Sequence, residues 1–292
     1  MNLSLVIYRG LSAIGKPVSL IASVGGNKKT KQVVELTLVP TFIIEQWPEL
    51  TTGVKPAHQG VCYVKALRGH LESVCPKSCA FVQAGKGCYV QHNPRNASQV
   101  ARIIRNCEPV MDDGLYLSDL RYLLKCAKLA GITKVRSMVA GDASMLPANV
   151  WAEIESAICK VYPASQWLGY THDHSAKHLQ GTHVASCDSK AQSIDAMSNG
   201  WNVFQVIAPI AEPIPTGAAL CPASKEFKFK RGFDINCNGC PMACTGDSSK
   251  RWRVIPRHAS GDASRKAAAS RRGEVLKNEK GQVKGLYAKV GA

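Results

Sequence analysis

The chain has 292 residues, 45% hydrophobic and 20% charged, which supplies a full-sized core and excludes a globally disordered chain. No run of about 18 uninterrupted apolar residues is available to span a membrane, and the opening MNLSLVIYRGLSAIGKPVSL, broken by Arg9, Gly10 and Lys16, does not read as a secretory signal. Of the formal net charge of +16, the segment from Lys225 onward contributes sixteen Lys/Arg against six Asp/Glu, or +10, a footprint that suits nucleic acid or another polyanion as well as it suits a solvated tail.

In chain order, VVELTLVPTFII (33–44) has the β-branched content of a strand, with Pro40 marking an edge or a break. Two helical patterns follow between 96 and 130. The second, SDLRYLLKCAKLAG, takes Ser118 as its N-cap, sets Leu120, Leu123, Leu124 and Ala127 on one face, and stops at Gly131. KVRSMVAG (134–141) reads as a strand. Pro147 then opens a helix to about Tyr162, with Val150, Ile154, Ala157 and Ile158 inward and Pro163 closing it. QWLGYT (166–171) is a short strand, HSAKHL a short helix, and THVASC (182–187) a strand. Asp188 caps a helix that ends at Gly200, and WNVFQVIAP (201–209) is the last apolar strand. Strands alternating with helices predict an α/β fold with a parallel sheet. The spacing across 172–182 is tight for a full crossover.

The expected organisation is a strand-containing extension over 1–60, an α/β core over 61–215, a cysteine-rich segment over 216–260 and a basic, poorly ordered tail over 261–292. Twelve cysteines in a chain read as cytosolic point to metal binding or catalysis before disulfides. Cys221, Cys237, Cys240 and Cys244 are spaced C-x15-C-x2-C-x3-C. Four thiolates suit a tetrahedral zinc or an iron–sulfur cluster, and Asn238-Gly239 supplies a turn between them. The alternative is a set of buried thiols. The earlier group, Cys75, Cys79 and Cys88 in CPKSCAFVQAGKGCYV, offers three ligands. Cys62, His70 or His92 could complete a zinc site, whereas three thiolates on a [4Fe–4S] cluster leave one iron open. Cys126 and Cys159 read as core residues, and Cys187 is a strand-end thiol whose reactivity is open.

Read from strand ends, one rim collects Gly141-Asp142, Tyr170-Thr171-His172 and Cys187-Asp188. Asp142 is a ligand for a ribose hydroxyl or a cap for the following helix. His172, His174 and His178 form a loop trio whose metal binding is the minority reading. In KEFKFKRGF and KRWRV, the residues Lys228, Lys230, Arg231, Lys250, Arg251 and Arg253 suit phosphate contacts. Phe227, Phe229 and Trp252 would stack on bases or pack in a hairpin.

In order, CPKSCAFVQAGKGCYV, VRSMVAGDASMLPANVWAEI, WLGYTHDH, GWNVFQVI and a CP…CNGCPMAC segment followed by His258 resemble phage- and plasmid-encoded proteins of unassigned function. Those proteins are similar to radical S-adenosylmethionine (radical SAM) enzymes. The resemblance covers roughly residues 60 to 260. It implies a partial (β/α) barrel with a C-terminal metal knuckle. It also implies a [4Fe–4S] cluster on Cys75, Cys79 and Cys88, with S-adenosylmethionine on the open iron. Gly141, Asp142 and Tyr170 would then lie near the cofactor. The spacing here is C-x3-C-x8-C, against the compact C-x3-C-x2-C of radical SAM enzymes. The expected function is an iron–sulfur, radical-SAM-like protein of a mobile genetic element, in the host cytoplasm, acting on nucleic acid or its precursors. The rivals are a zinc protein that binds DNA or RNA through its basic C-terminal region, and an inactive scaffold.

Overall fold

The computed structural model describes residues 3–27, 31–79, 94–207, 215–221, 237, 240, 244, 252–256, 275–277 and 283–286. It opens with an antiparallel meander of β1 (Ser4–Leu11), β2 (Pro17–Asn27) and β3 (Lys31–Pro40). From Val18 to Val24 and from Val33 to Val39 the side chains are buried, with Ser19, Ser23, Glu35 and Thr37 among the apolar ones, so β2 and β3 are covered on both faces. Pro40 closes β3, and two short helices follow, α1 (Thr41–Glu45) and α2 (Trp47–Thr51). Because β3 lies between β2 and β6 (Val135–Arg136), Pro40 is a break and not an edge.

Helix α3 (Gln59–Leu67) packs on α4 (Pro94–Arg105), and Gly60 lies where a Cβ would come within 2.7 Å of the Ser98 backbone nitrogen. The short strands β4 (Cys107–Glu108) and β5 (Gly114–Leu115) both pair with β1. Helix α5 (Leu117–Leu129) buries Leu120, Leu123, Leu124 and Ala127, the face expected from the periodicity. Its N-cap is Tyr116 and not Ser118, which falls inside the first turn. Helix α6 (Ala148–Cys159) turns Trp151 inward with Ile154, Ala157 and Ile158. Val150 stands beside that face, half-buried, because the bulkier indole takes the innermost angle.

Strand β6 is shorter than KVRSMVAG predicts. Met138 adopts a positive φ of 58° and interrupts the ladder. Val139 N–H to Leu36 O at 2.7 Å and Leu38 N–H to Ala140 O at 3.0 Å then restore contact with β3. Next come β7 (Trp167–Leu168) and β8 (Tyr170–Thr171), separated by Gly169. A Cβ at Gly169 would meet Thr182 O at 2.6 Å and the His183 ring at 2.8 Å, so close backbone approach requires glycine here. Strand β9 (Val184–Cys187) pairs in parallel with β8 across a single 3-10 turn, Lys177–Leu179, and no full helix. Helix α7 (Lys190–Ser198) is capped by Ser189, whose Oγ accepts from Gln192 N–H at 3.2 Å; Asp188 lies one residue too early.

Strand β10 (Val203–Ile207) pairs in parallel with β9 and with β12 (Trp252–Pro256), which also pairs with β11 (Ala219–Leu220). Among the described residues the order is β4-β1-β2-β3-β6-β7 in one sheet and β11-β12-β10-β9-β8 in a second. The chain crosses between them at Gly169. The fold is therefore mixed α/β with extensive parallel pairing, as the alternating pattern predicts. The three N-terminal strands belong to the same sheet as β6 and β7. The tail, expected to lack regular structure, pairs β13 (Val275–Lys277) with β14 (Val283–Leu286).

Candidate functional site

Successive side chains on a strand point to opposite faces, and on β8 this separates two sites. On one face the Thr171 hydroxyl donates to Asp142 Oδ1 at 2.8 Å. Asp142 Oδ1 also accepts from Ser144 N–H at 3.1 Å, and its Oδ2 accepts from His172 N–H at 2.8 Å. The His172 Nδ1 atom lies 3.8 Å from Oδ2. Asp142 is only 3% exposed. Burial by itself would push its carboxyl up, but the hydrogen bonds and charge of His172 and the Ser144 N–H outweigh burial and hold it below its usual range. For the His172 imidazole, burial works downward, and hydrogen bonds and charge from Asp142 and the Cys79 thiol overcome it, raising the pKa to about 10.

The backbone brings the first cysteine segment to this rim. Gly141 has φ +81°, and a Cβ there would meet Leu38 Cβ at 2.7 Å and Val74 O at 3.2 Å. That close approach lets Asp142 N–H donate to Val74 O at 2.8 Å. Beyond Cys75 the chain turns, with Cys79 N–H donating to Pro76 O at 2.9 Å, and the Ser78 hydroxyl donates to His172 O at 3.0 Å. Cys79 is buried and contributes to raising the pKa of the His172 imidazole. Cys75 is half-buried against the main core. Cys88 lies outside the described residues.

The other face of β8 carries Tyr170, half-buried, with its ring edge-on to Phe204 at 5.0 Å. The thiols of Cys244, Cys237 and Cys221 bear on its hydroxyl. Burial, reinforced by these thiols, drives the Tyr170 hydroxyl well above its ordinary pKa. Burial likewise pushes the Cys244 thiol up to about 12, with Cys221 adding to it and Tyr170 and Arg253 opposing it. The segment is tied down through its backbone. Cys221 N–H donates to Val254 O at 2.8 Å, Gly169 N–H to Cys244 O at 3.4 Å, and Lys134 Nζ to Cys237 O at 2.8 Å and Cys240 O at 3.4 Å. Among the described residues, no three His, Cys, Asp or Glu side chains converge as a metal-holding group.

Several sequence expectations divide here. Of Gly141, Asp142 and Tyr170, expected around one cofactor, the first two adjoin the Thr171 side chain, whereas Tyr170 turns its ring to Phe204. Gly141 allows close backbone packing. The Asp142 oxygens accept from Ser144, Thr171 and His172, so the carboxylate braces this rim. The loop histidines also separate: His172 joins Asp142 and Cys79, whereas His174 Nε2 lies 3.2 Å from Ser186 O and 3.9 Å from the Cys187 sulfur. Burial pushes the Cys187 thiol up to about 12, which removes it as a reactive group. Cys62 lies on α3, and His70 stacks on Phe42 at 4.6 Å.

Arg253 is fully buried in β12 beside Cys244 and cannot be a surface phosphate contact; β12 runs between β10 and β11, so its inward side chains meet no solvent. Trp252 is also buried, and its indole N–H donates to Gln205 Oε1 at 3.1 Å, which is packing and not base stacking. Lys228, Lys230, Arg231, Lys250 and Arg251, with Phe227 and Phe229, lie outside the described residues. The reading of single residues placed Thr171 on the rim without its bond to Asp142 and missed Lys134, whose partners are remote in sequence. It also missed His183, which is buried with its Nε2 2.8 Å from Ser137 Oγ and Nδ1 3.0 Å from Thr182 Oγ1. Compared with protein-family models, curated proteins and solved structures, the chain has no significant match to any of them.

Proposed function

We propose that the protein is a thiolate-ligated metalloprotein of the iron–sulfur, radical-SAM-like kind, encoded by a mobile genetic element and acting in the host cytoplasm on nucleic acid or its precursors. The single observation that carries the reading is the fastening of the Cys75–Cys79 turn beside Asp142 and His172 at the carboxyl ends of β6 and β8. In parallel α/β sheets that rim is where reactive groups collect. Of the three thiols, Cys75 and Cys79 lie among the described residues, one turn of chain apart, and what supports the reading is the place of that turn and not a closed ligand set. Cys75, Cys79 and Cys88 would hold a [4Fe–4S] cluster, which when bound supplies one-electron reduction and an open iron for S-adenosylmethionine. The run β3-β6-β7 and β8-β9-β10-β12 would form the partial barrel around it. Cys221, Cys237, Cys240 and Cys244 would form the C-terminal knuckle and hold an auxiliary cluster or a structural zinc.

Anaerobic purification with iron, zinc and sulfide analysis tests this: iron with labile sulfide is expected, and a colourless protein with zinc and no sulfide defeats it. The charge of +10 from Lys225 onward favours a second reading, a zinc protein that binds DNA or RNA through that segment. Its binding should weaken steeply with added salt, and salt-insensitive binding would rule it out.

A further inference from the structure

We propose that the cleft at the carboxyl edge of β1 and β3 binds a nucleotide, with the base against the Phe42 and His70 rings and the phosphate at Lys16. The proposal deepens the reading of a protein acting on nucleic acid or its precursors and rests on that reading for the class of ligand, but the cleft itself is built without a cysteine.

The cleft has a volume of about 420 Å³, within the range of roughly 300–1,000 Å³ that holds a small organic ligand. Strands β1 and β3 both run antiparallel to β2 and so point the same way, and β6 runs parallel to β3. Arg9 near the end of β1, and Pro40, Thr41 and Phe42 at the end of β3, therefore line the sheet edge that Asp142 occupies beyond β6. In α/β sheets ligands bind outside that edge. The cleft adjoins the candidate rim directly: Ser73 lines it, and the next residue, Val74, accepts from Asp142 N–H at 2.8 Å.

Its walls are fixed before a ligand arrives. The Arg9 guanidinium is spent on three protein acceptors, Asp113 Oδ1 at 3.1 Å, Val110 O at 2.8 Å and Glu45 Oε1 at 2.7 Å, so it closes one wall and offsets the Glu45 charge. The turn before β2 is held by Ser12 N–H donating to Lys16 O at 2.7 Å and Lys16 N–H donating to the Ser12 hydroxyl at 3.1 Å. The Lys16 side chain is exposed, and its ammonium has no ion-pair partner among the described residues. The His70 carbonyl accepts from the Ser73 hydroxyl at 2.6 Å, and the His70 ring meets Phe42 at 4.6 Å, tilted 54°. His70 is exposed and Phe42 half-buried, so the pair offers ring surface to the cleft. Any base has a face for such a wall, and a lysine ammonium is a point charge suited to phosphate. With Arg9 and Lys16 set against Glu45, the lining favours an anion.

The test is equilibrium dialysis of the full chain, purified anaerobically, against adenosine monophosphate and adenosine. The monophosphate should bind saturably and about tenfold tighter than adenosine. Lys16→Ala should erase that preference, and His70→Ala should weaken both ligands about tenfold. Both positions are exposed, so the fold does not depend on them, and Lys55→Ala, an exposed change outside the cleft, should alter neither affinity. A short single strand with a 5′-phosphate, added as competitor, separates the two sources of this chemistry. Displacement assigns the cleft to a strand end and its absence to a free nucleotide, and either result upholds the site. Wild type that binds no monophosphate, or Lys16 and His70 variants that match wild type, would overturn the inference, and the metal reading stands if that protein still holds iron and sulfide. Iron-free protein that binds the monophosphate keeps the cleft and overturns the metal reading alone.

Discussion

Tyr170 and Thr171 are consecutive residues of β8, yet they enter opposite chemical surroundings. On the Thr171 face a buried carboxylate is held ionised by hydrogen-bond donors and a histidine that the fold itself supplies. On the Tyr170 face the buried groups are thiols and a phenol, and burial pushes both kinds toward their protonated forms. Burial alone therefore does not set protonation: the donors around Asp142 outweigh it, whereas the Arg253 guanidinium opposes but does not overcome the burial of Cys244. Two histidines, His172 half-buried and His183 buried, repeat the contrast. His172, beside Asp142 and Cys79, is raised to about 10, whereas His183 is lowered to about 4, chiefly by burial. Its surroundings are the rings of Trp151 at 5.2 Å and Trp167 at 6.3 Å, with hydroxyls as its hydrogen-bond partners.

The largest way to break the comparison is Asp142→Ala. It leaves three donors and a half-buried histidine without their acceptor, and should cost about 3–5 kcal/mol in denaturant unfolding. A cost near zero would show that the brace is dispensable.

The histidine contrast predicts a pH dependence with a definite sign. Because His183 is neutral in the fold and titrates at its ordinary value when unfolded, the unfolded chain binds more protons between about pH 6.5 and the folded value of about 4. Stability from this group is complete above that window and declines as pH falls through it, by about 3 kcal/mol in all. His183→Gln should flatten the slope of stability against pH there, and an unchanged slope would place its source elsewhere. Asp142, lowered in the fold, adds a further loss only at more acidic pH.

The two faces of β8 can be compared directly by paired substitutions. Thr171→Val removes a hydrogen bond to an ionised group and should cost about 2 kcal/mol, while Tyr170→Phe removes a hydroxyl set among thiols and should cost about 1 kcal/mol or less. Equal costs would mean that the charge on the first face adds nothing. The smallest effect concerns polyanion binding. Lys250→Ala should reduce the salt slope by about one phosphate contact, whereas Arg253→Ala, at a fully buried position, should leave the slope unchanged.

The regular elements were legible because periodicity reports burial. The Leu120, Leu123, Leu124 and Ala127 face of α5 and the parallel strands from β6 to β10 follow from apolar spacing and turn residues alone. Cap positions shifted by a residue or two, since Ser118, Asp188 and Ser189 are equally good caps until the chain's path selects one. The strand-end rim was legible as a place, but its membership was not. Nothing local to Thr171-His172 says that Asp142 lies under it, and nothing local to Arg253 says that β11 and β10 flank it.

By itself the sequence determined an α/β chain with parallel strands, two cysteine groups and a basic end, because composition, spacing and period are properties of the chain alone. Only the tertiary structure decided that Tyr170 and Thr171 enter different surroundings, that Asp142 braces the rim, and that the Cys75–Cys79 turn meets residue 172 through Ser78. Those facts depend on which distant segments meet across a strand, and close backbone approach at Gly141 and Gly169 sets them.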